Sequence, residues 1–129
     1  MAILVTRTES QLGATTSFQA MDNLAGASVS SSFTVPVGVS SIKQVAIATT
    51  ADASEEYLPM IKLSGNAMQD GDAVMVGPAN VASTTATGTA TNFGQYDTDL
   101  RVTSGNSIEI SIAVTDAATI SAGVTLTFA

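Results

Sequence analysis

The run Ser107-Ile-Glu-Ile-Ser-Ile-Ala-Val114 puts Ile108, Ile110, Ile112 and Val114 at every second position. Successive side chains of a strand point to opposite faces, so this spacing predicts a strand with one face in a core. The segment 119–129 repeats the pattern, with Val124, Leu126 and Phe128 on the inward phase. Leu100 and Val102 alternate just upstream, and Ser104-Gly105-Asn106 supplies a turn because Gly and Asn accept positive φ. Three short strands in a row, each with one apolar face, have to pack that face against a second layer.

The earlier part of the chain is read the same way. Phe33 and Val35 alternate; Val45 and Ile47 are in phase while Ile42 is one residue out, which predicts a bulge or a late strand start. Residues 57–63 form a further strand, with Pro59 suited to a sheet edge or a bulge. Ser64-Gly65-Asn66 turns the chain after that strand, and Asp70-Gly71-Asp72 turns it again before Ala73–Val76. Asp52, with Glu55 three residues on, predicts one capped helical turn over 51–58, ended by Pro59. Residues 11–32 and 80–92 are Ser, Thr, Ala and Gly tracts, read as loops or extended arms. Phe18, Phe33, Phe93 and Phe128 are taken as core anchors, Met21, Met60, Met68 and Met75 as gap-fillers in a core or interface, and Tyr57 and Tyr96 as contact-rim residues or solvated strand ends. Together these readings predict an all-β fold: one antiparallel β-sandwich over residues 1–129, jelly-roll-like, with about eight strands. Residues 1–30 are expected as an extended N-terminal arm.

The reactive side chains are few. The 129 residues include no His, Cys or Trp and only Arg7, Lys43, Lys62 and Arg101 as bases, for a net charge of −7. A Ser–His or Cys–His mechanism is excluded, and Ser–Lys chemistry would need Lys43 or Lys62 buried with a lowered pKa. Carboxylate pairs exist at Glu55–Glu56, Asp70/Asp72 and Asp97/Asp99, but 5% aromatic residues leave little to stack on a sugar in a glycosidase cleft. No catalytic residue and no organic cofactor are expected. Only a hard cation on oxygen ligands suits what remains: Asp70, Asp72, Asp97 and Asp99 are the candidate Ca²⁺ ligands. They lack the full calcium-loop register, and Asp beside Gly is ordinary turn chemistry. Four scattered bases cannot hold a phosphate backbone, so no nucleic-acid contact is expected. No apolar run reaches the length of a membrane span, and the first residues lack the basic region of a leader.

Charged residues make up 12% of the chain, against about 25% in an ordinary soluble domain. Few Lys or Pro guard the strand edges. Copies of the chain are therefore the expected partners, joined through edge strands and the N-terminal arm. The stretches Phe33-Thr-Val-Pro-Val-Gly-Val-Ser-Ser-Ile42, Leu100-Arg-Val-Thr-Ser-Gly-Asn-Ser-Ile-Glu-Ile110 and Val124-Thr-Leu-Thr-Phe128 resemble a small viral jelly-roll coat protein, over residues 30–129. That resemblance implies a capsid subunit in a virion, beside copies of itself and other coat proteins. Residues 1–30 hold Arg7 as their one base, unlike the basic arms of many coat proteins, so the implied subunit does not touch the genome. Two alternatives stand beside it: a carbohydrate-binding or adhesin-like β-sandwich, and a donor-strand filament subunit using residues 1–10. Outside a virion, the expected setting is an extracellular assembly.

Overall fold

The computed structural model describes residues 3–12, 15–51, 58–77, 90–114 and 120–129. Among them there is no helix. The strands are β1 (Ile3–Leu12), β2 (Thr15–Ala20), β3 (Asn23–Leu24), β4 (Ala27–Ser28), β5 (Ser32–Thr34), β6 (Ser41–Ala51), β7 (Pro59–Ser64), β8 (Ala73–Val76), β9 (Ala90–Arg101), β10 (Ser107–Val114) and β11 (Ile120–Phe128). They form two antiparallel sheets. The first runs β4-β3-β1-β11-β6-β9, and the second β2-β10-β7-β8, with β5 also paired to β10. β5 and β2 share one edge of β10: β5 takes Ser107–Glu109, and β2 takes the end from Ser111 to Val114.

The pairing is nested. β7 pairs β8, β6 pairs β9, β2 pairs β10 and β1 pairs β11. A long hairpin rolled up on itself gives this order, which is the layout of a jelly roll.

The apolar phase of each strand supplies the layer between the sheets. Ile108, Ile110 and Ile112 of β10 and Ile61 and Leu63 of β7 meet Val124, Leu126 and Phe128 of β11 and Ile42, Val45 and Ile47 of β6, all without solvent exposure. Burying each such side chain contributes about 1.5–3 kcal/mol. The Phe33 ring meets Phe128 edge-on, with centroids 6.3 Å apart and planes at 86°. The slip at Ile42 is a bulge: the register shifts between Ile42 and Gln44 against β9, and between Thr127 and Phe128 against β6. This keeps Ile42 and Val45 both inward. Gly65 sits at φ +124°, where an added Cβ would drive into the Ser107 carbonyl oxygen, so that turn requires glycine.

Several expectations are corrected. Residues 3–12 are not an arm: β1 lies between β3 and β11, in register with β11 from Ile3↔Phe128 to Glu9↔Ala122. The stretch 11–32 is not simply loop, since β2, β3 and β4 lie within it. Pro59 is not on an edge strand. β7 runs between β10 and β8, and Pro59 takes its first position, where the missing N–H matters least. Phe18 and Phe93 are 36% and 60% exposed, so they are not core anchors; strand phase turns both outward. Tyr96 takes the opposite phase of β9 from Phe93 and packs against the core instead of a rim. The helical turn expected at 51–58 and the tract at 80–92 fall mostly outside the described residues, as does Tyr57.

Candidate functional site

One row of side chains crosses the whole outer face of the six-stranded sheet. Ser28 pairs Asn23, Asn23 pairs Thr8, Thr8 pairs Gly123, Gly123 pairs Ala48 and Ala48 pairs Phe93. Directly paired residues of antiparallel strands project to the same face, so all six positions line up. At about 4.8 Å per strand, the row is about 24 Å long. It is polar at the β4–β3 end, has no side chain at all at Gly123, and ends on an exposed aromatic ring.

The local sequence shapes this surface. β3 and β4 are joined by Ala25-Gly26, both at positive φ (51° and 93°), the two-residue turn whose twist suits a hairpin. Positive φ is unfavourable for alanine. Two side chains of the row hold the turn in place: the Ala25 N–H donates to Thr8 Oγ1 at 2.8 Å, and the Gly26 N–H donates to Asn23 Oδ1 at 2.8 Å. The hairpin thus stands as a wall beside β1. Between it and β6 lies an open groove of about 320 Å³, with Thr8, Asn23, Ala25, Gly26, Ala48, Ser121 and Gly123 around it. Glu9 and Ala122 also border the groove, but strand alternation turns them toward the sandwich interior.

Gly123 is the informative residue of the floor. It interrupts an otherwise regular strand, its backbone is ordinary extended chain, and a Cβ there would meet only Thr8 Cγ2 at 3.9 Å. Among the described residues nothing requires glycine at this position. A glycine within a strand often marks the close approach of a ligand or another backbone.

The carboxylates expected as calcium ligands lie elsewhere, and three of the four are in ion pairs. Asp70 accepts two hydrogen bonds from Arg101, at 2.6 and 3.2 Å. Asp99 accepts from Lys43 at 2.6 Å, and Asp72 lies 3.7 Å from Lys62. Asp97 is exposed, opposite Gln44. The hydrogen bonds from Arg101 hold the Asp70 carboxyl below the usual carboxylate range, and the same contact raises Arg101. Among the described residues no three acidic, His or Cys side chains gather to hold a metal ion. Glu55 and Glu56 lie outside the described residues.

A second surface lies on the far side of the sandwich. On the outer face of the five-stranded sheet, Val74 and Val76 of β8 are 55% and 51% exposed. Phe18 of β2 lies on the same face, with the Lys62 ammonium 5.6 Å from its ring centroid.

The row was hidden in the sequence because its members come from six separate strands. The local signal was the glycine in the outward phase of β11, where Ser121, Thr125 and Thr127 carry side chains.

The fold is a β-sandwich of jelly-roll layout. No protein-family model matches the chain, and no curated protein does. Among solved structures, the chain is similar to a xylan-binding module, CBM15, at 15% identity and a TM-score of 0.45, over 100% of this chain and 97% of that one. At that identity and score, the likeness says nothing about a ligand. The comparisons give the coat-protein expectation no support.

Proposed function

We propose that the domain binds a glycan chain across the outer face of its six-stranded sheet, without chemical turnover. The carrying observation is the transverse row Ser28–Asn23–Thr8–Gly123–Ala48–Phe93. A polysaccharide is a linear ligand with hydroxyls on its edges and C–H groups on its ring faces. The polar end of the row offers hydroxyl and amide partners, the dip at Gly123 lets a ring approach the backbone, and Phe93 offers an aromatic face. The hairpin wall and the sheet floor are set by backbone pairing, so the track is pre-formed. A domain of this kind works where polysaccharide is found, outside the cell or on its surface.

The test is affinity electrophoresis of the full chain in gels containing β-glucan, xylan, mannan or soluble chitin, followed by calorimetry on whichever retards it. Phe93→Ala is expected to weaken binding by about 0.5–1.5 kcal/mol, the worth of one aromatic stacking contact. Retardation by none of the polysaccharides refutes the proposal.

A second reading is favoured by the exposed apolar face formed by Phe18, Val74 and Val76. On that reading the chain is a self-assembling structural subunit, as in a coat or a filament. Light scattering decides it: a monomer at micromolar concentrations that stays monomeric on concentration excludes assembly, whereas shells or rods in the electron microscope establish it.

A further inference from the structure

We infer that the groove selects neutral glycans and turns away acidic ones, an inference that rests on the glycan reading above. A uronate or sulfate group is recognised by a cation or by converging N–H donors. The chain has four cations, and each is engaged elsewhere. Arg7 donates to the Ser30 and Thr6 carbonyls at 3.1 and 3.0 Å and lies 5.1 Å from the Phe33 ring centroid. Lys43 is paired with Asp99, Arg101 with Asp70, and Lys62 with Asp72 on the opposite sheet.

Backbone donors are committed as well. Successive residues at positive φ can form an anion-binding nest, and Ala25–Gly26 is the place beside the groove where one would be sought. Both of its N–H groups are already taken, by Thr8 Oγ1 and Asn23 Oδ1. The side chains of the row are two hydroxyls, an amide, a methyl and a phenyl ring, and none carries charge. An acidic sugar therefore loses hydration with no counter-charge to replace it, and it approaches a chain of net charge −7. A neutral sugar exchanges water hydrogen bonds for those of the Ser28 hydroxyl and the Asn23 amide NH2, the Thr8 hydroxyl being engaged with Ala25 and Asn23.

The experiment compares hydroxyethyl- and carboxymethyl-substituted forms of the same glucan, or of whichever neutral polysaccharide binds, by calorimetry on the full chain. At low salt the neutral form is expected to bind at least tenfold more tightly. The gap is expected to narrow as salt rises, because the screening length falls from about 30 Å at 0.01 M to about 8 Å at 0.15 M. Ser28→Lys, at an exposed position, adds a cation to the polar end of the row and is expected to cut the gap below threefold, the gap being a ratio in which loss of the Ser28 contact weakens both forms alike. Equal binding of both forms at low salt overturns the inference and leaves the glycan reading standing. A gap that ignores both salt and Ser28→Lys also overturns it. Failure of every neutral form to bind overturns the glycan reading, and this inference with it.

Discussion

Substitution of Gly123 separates what folding needs from what a ligand needs. Glycine inside a strand costs about 0.5–1 kcal/mol relative to alanine, because it loses more backbone freedom on folding. At Gly123 no clash offsets that gain: the new Cβ meets Thr8 Cγ2 at 3.9 Å, an ordinary van der Waals distance. Gly123→Ala is therefore expected to stabilise the domain by about 0.5–1 kcal/mol, raising the melting temperature by about 2–5 °C at this chain length. The same methyl rises from the groove floor between Thr8 and Ala48. A ring lifted by even about 1 Å forfeits up to about half of its dispersion contact with the floor. Gly123→Val adds two further methyls and is expected to cut glycan affinity at least tenfold, about 1.4 kcal/mol. Scanning calorimetry and titration calorimetry on the same preparations read both quantities. Full affinity in a stabilised Gly123→Val protein would place the ligand elsewhere, and a lowered melting temperature in Gly123→Ala would show that the space above the glycine is not spare.

Other outcomes follow from the fold. Phe128→Ala removes a fully buried ring and its edge contact with Phe33, and is expected to cost about 3–5 kcal/mol in a urea titration; a loss under 1 kcal/mol would contradict the packing. Gly65→Ala combines φ +124° with a collision at the Ser107 carbonyl, and is expected to cost more than about 2 kcal/mol; a wild-type denaturation midpoint would be inconsistent with that turn. The pairing of Asp70 with Arg101 gives a pH dependence of known sign. A carboxyl held below its ordinary value of 3.8 stabilises the fold above that pH, and this contribution is lost as pH falls through the lowered value. Asp70→Asn is expected to flatten the acid limb of a melting-temperature profile below about pH 4, weakly and in a salt-sensitive way because the pair is exposed. An unchanged acid limb would leave the ion pair without a role in stability.

The sandwich was legible where one strand face is wholly buried and the other is not. β10 and β11 declare themselves through Ile108, Ile110, Ile112, Val124, Leu126 and Phe128, and even the bulge at Ile42 shows as a phase slip. β2 does not, because Ser17, Phe18, Gln19 and Ala20 are all exposed. That strand is held by backbone pairing to β10, and pairing leaves no hydrophobic pattern to read. The outward turn of Phe93 was equally hidden. A lone aromatic among Thr, Asn and Gly carries no phase of its own, and its facing is fixed by register with Ala48. Residues brought into one row by six strands have no common signature along the chain, so the groove could only be found once the pairing was known.

The nesting of strand pairs also dictates an order of events in time. β7 and β8 close across a short connection, whereas Thr6 and Thr125, hydrogen-bonded at 2.9 Å, stand 119 residues apart. Closing so long a loop early is entropically costly, but each inner pair that forms shortens the span left to the next. Pulse-labelled hydrogen exchange should then protect β7 amides before those of β1. During synthesis, β1 emerges long before its partner β11. Through that interval β1 has only its short pairing with β3, and the outermost of the nested pairs is the last to close.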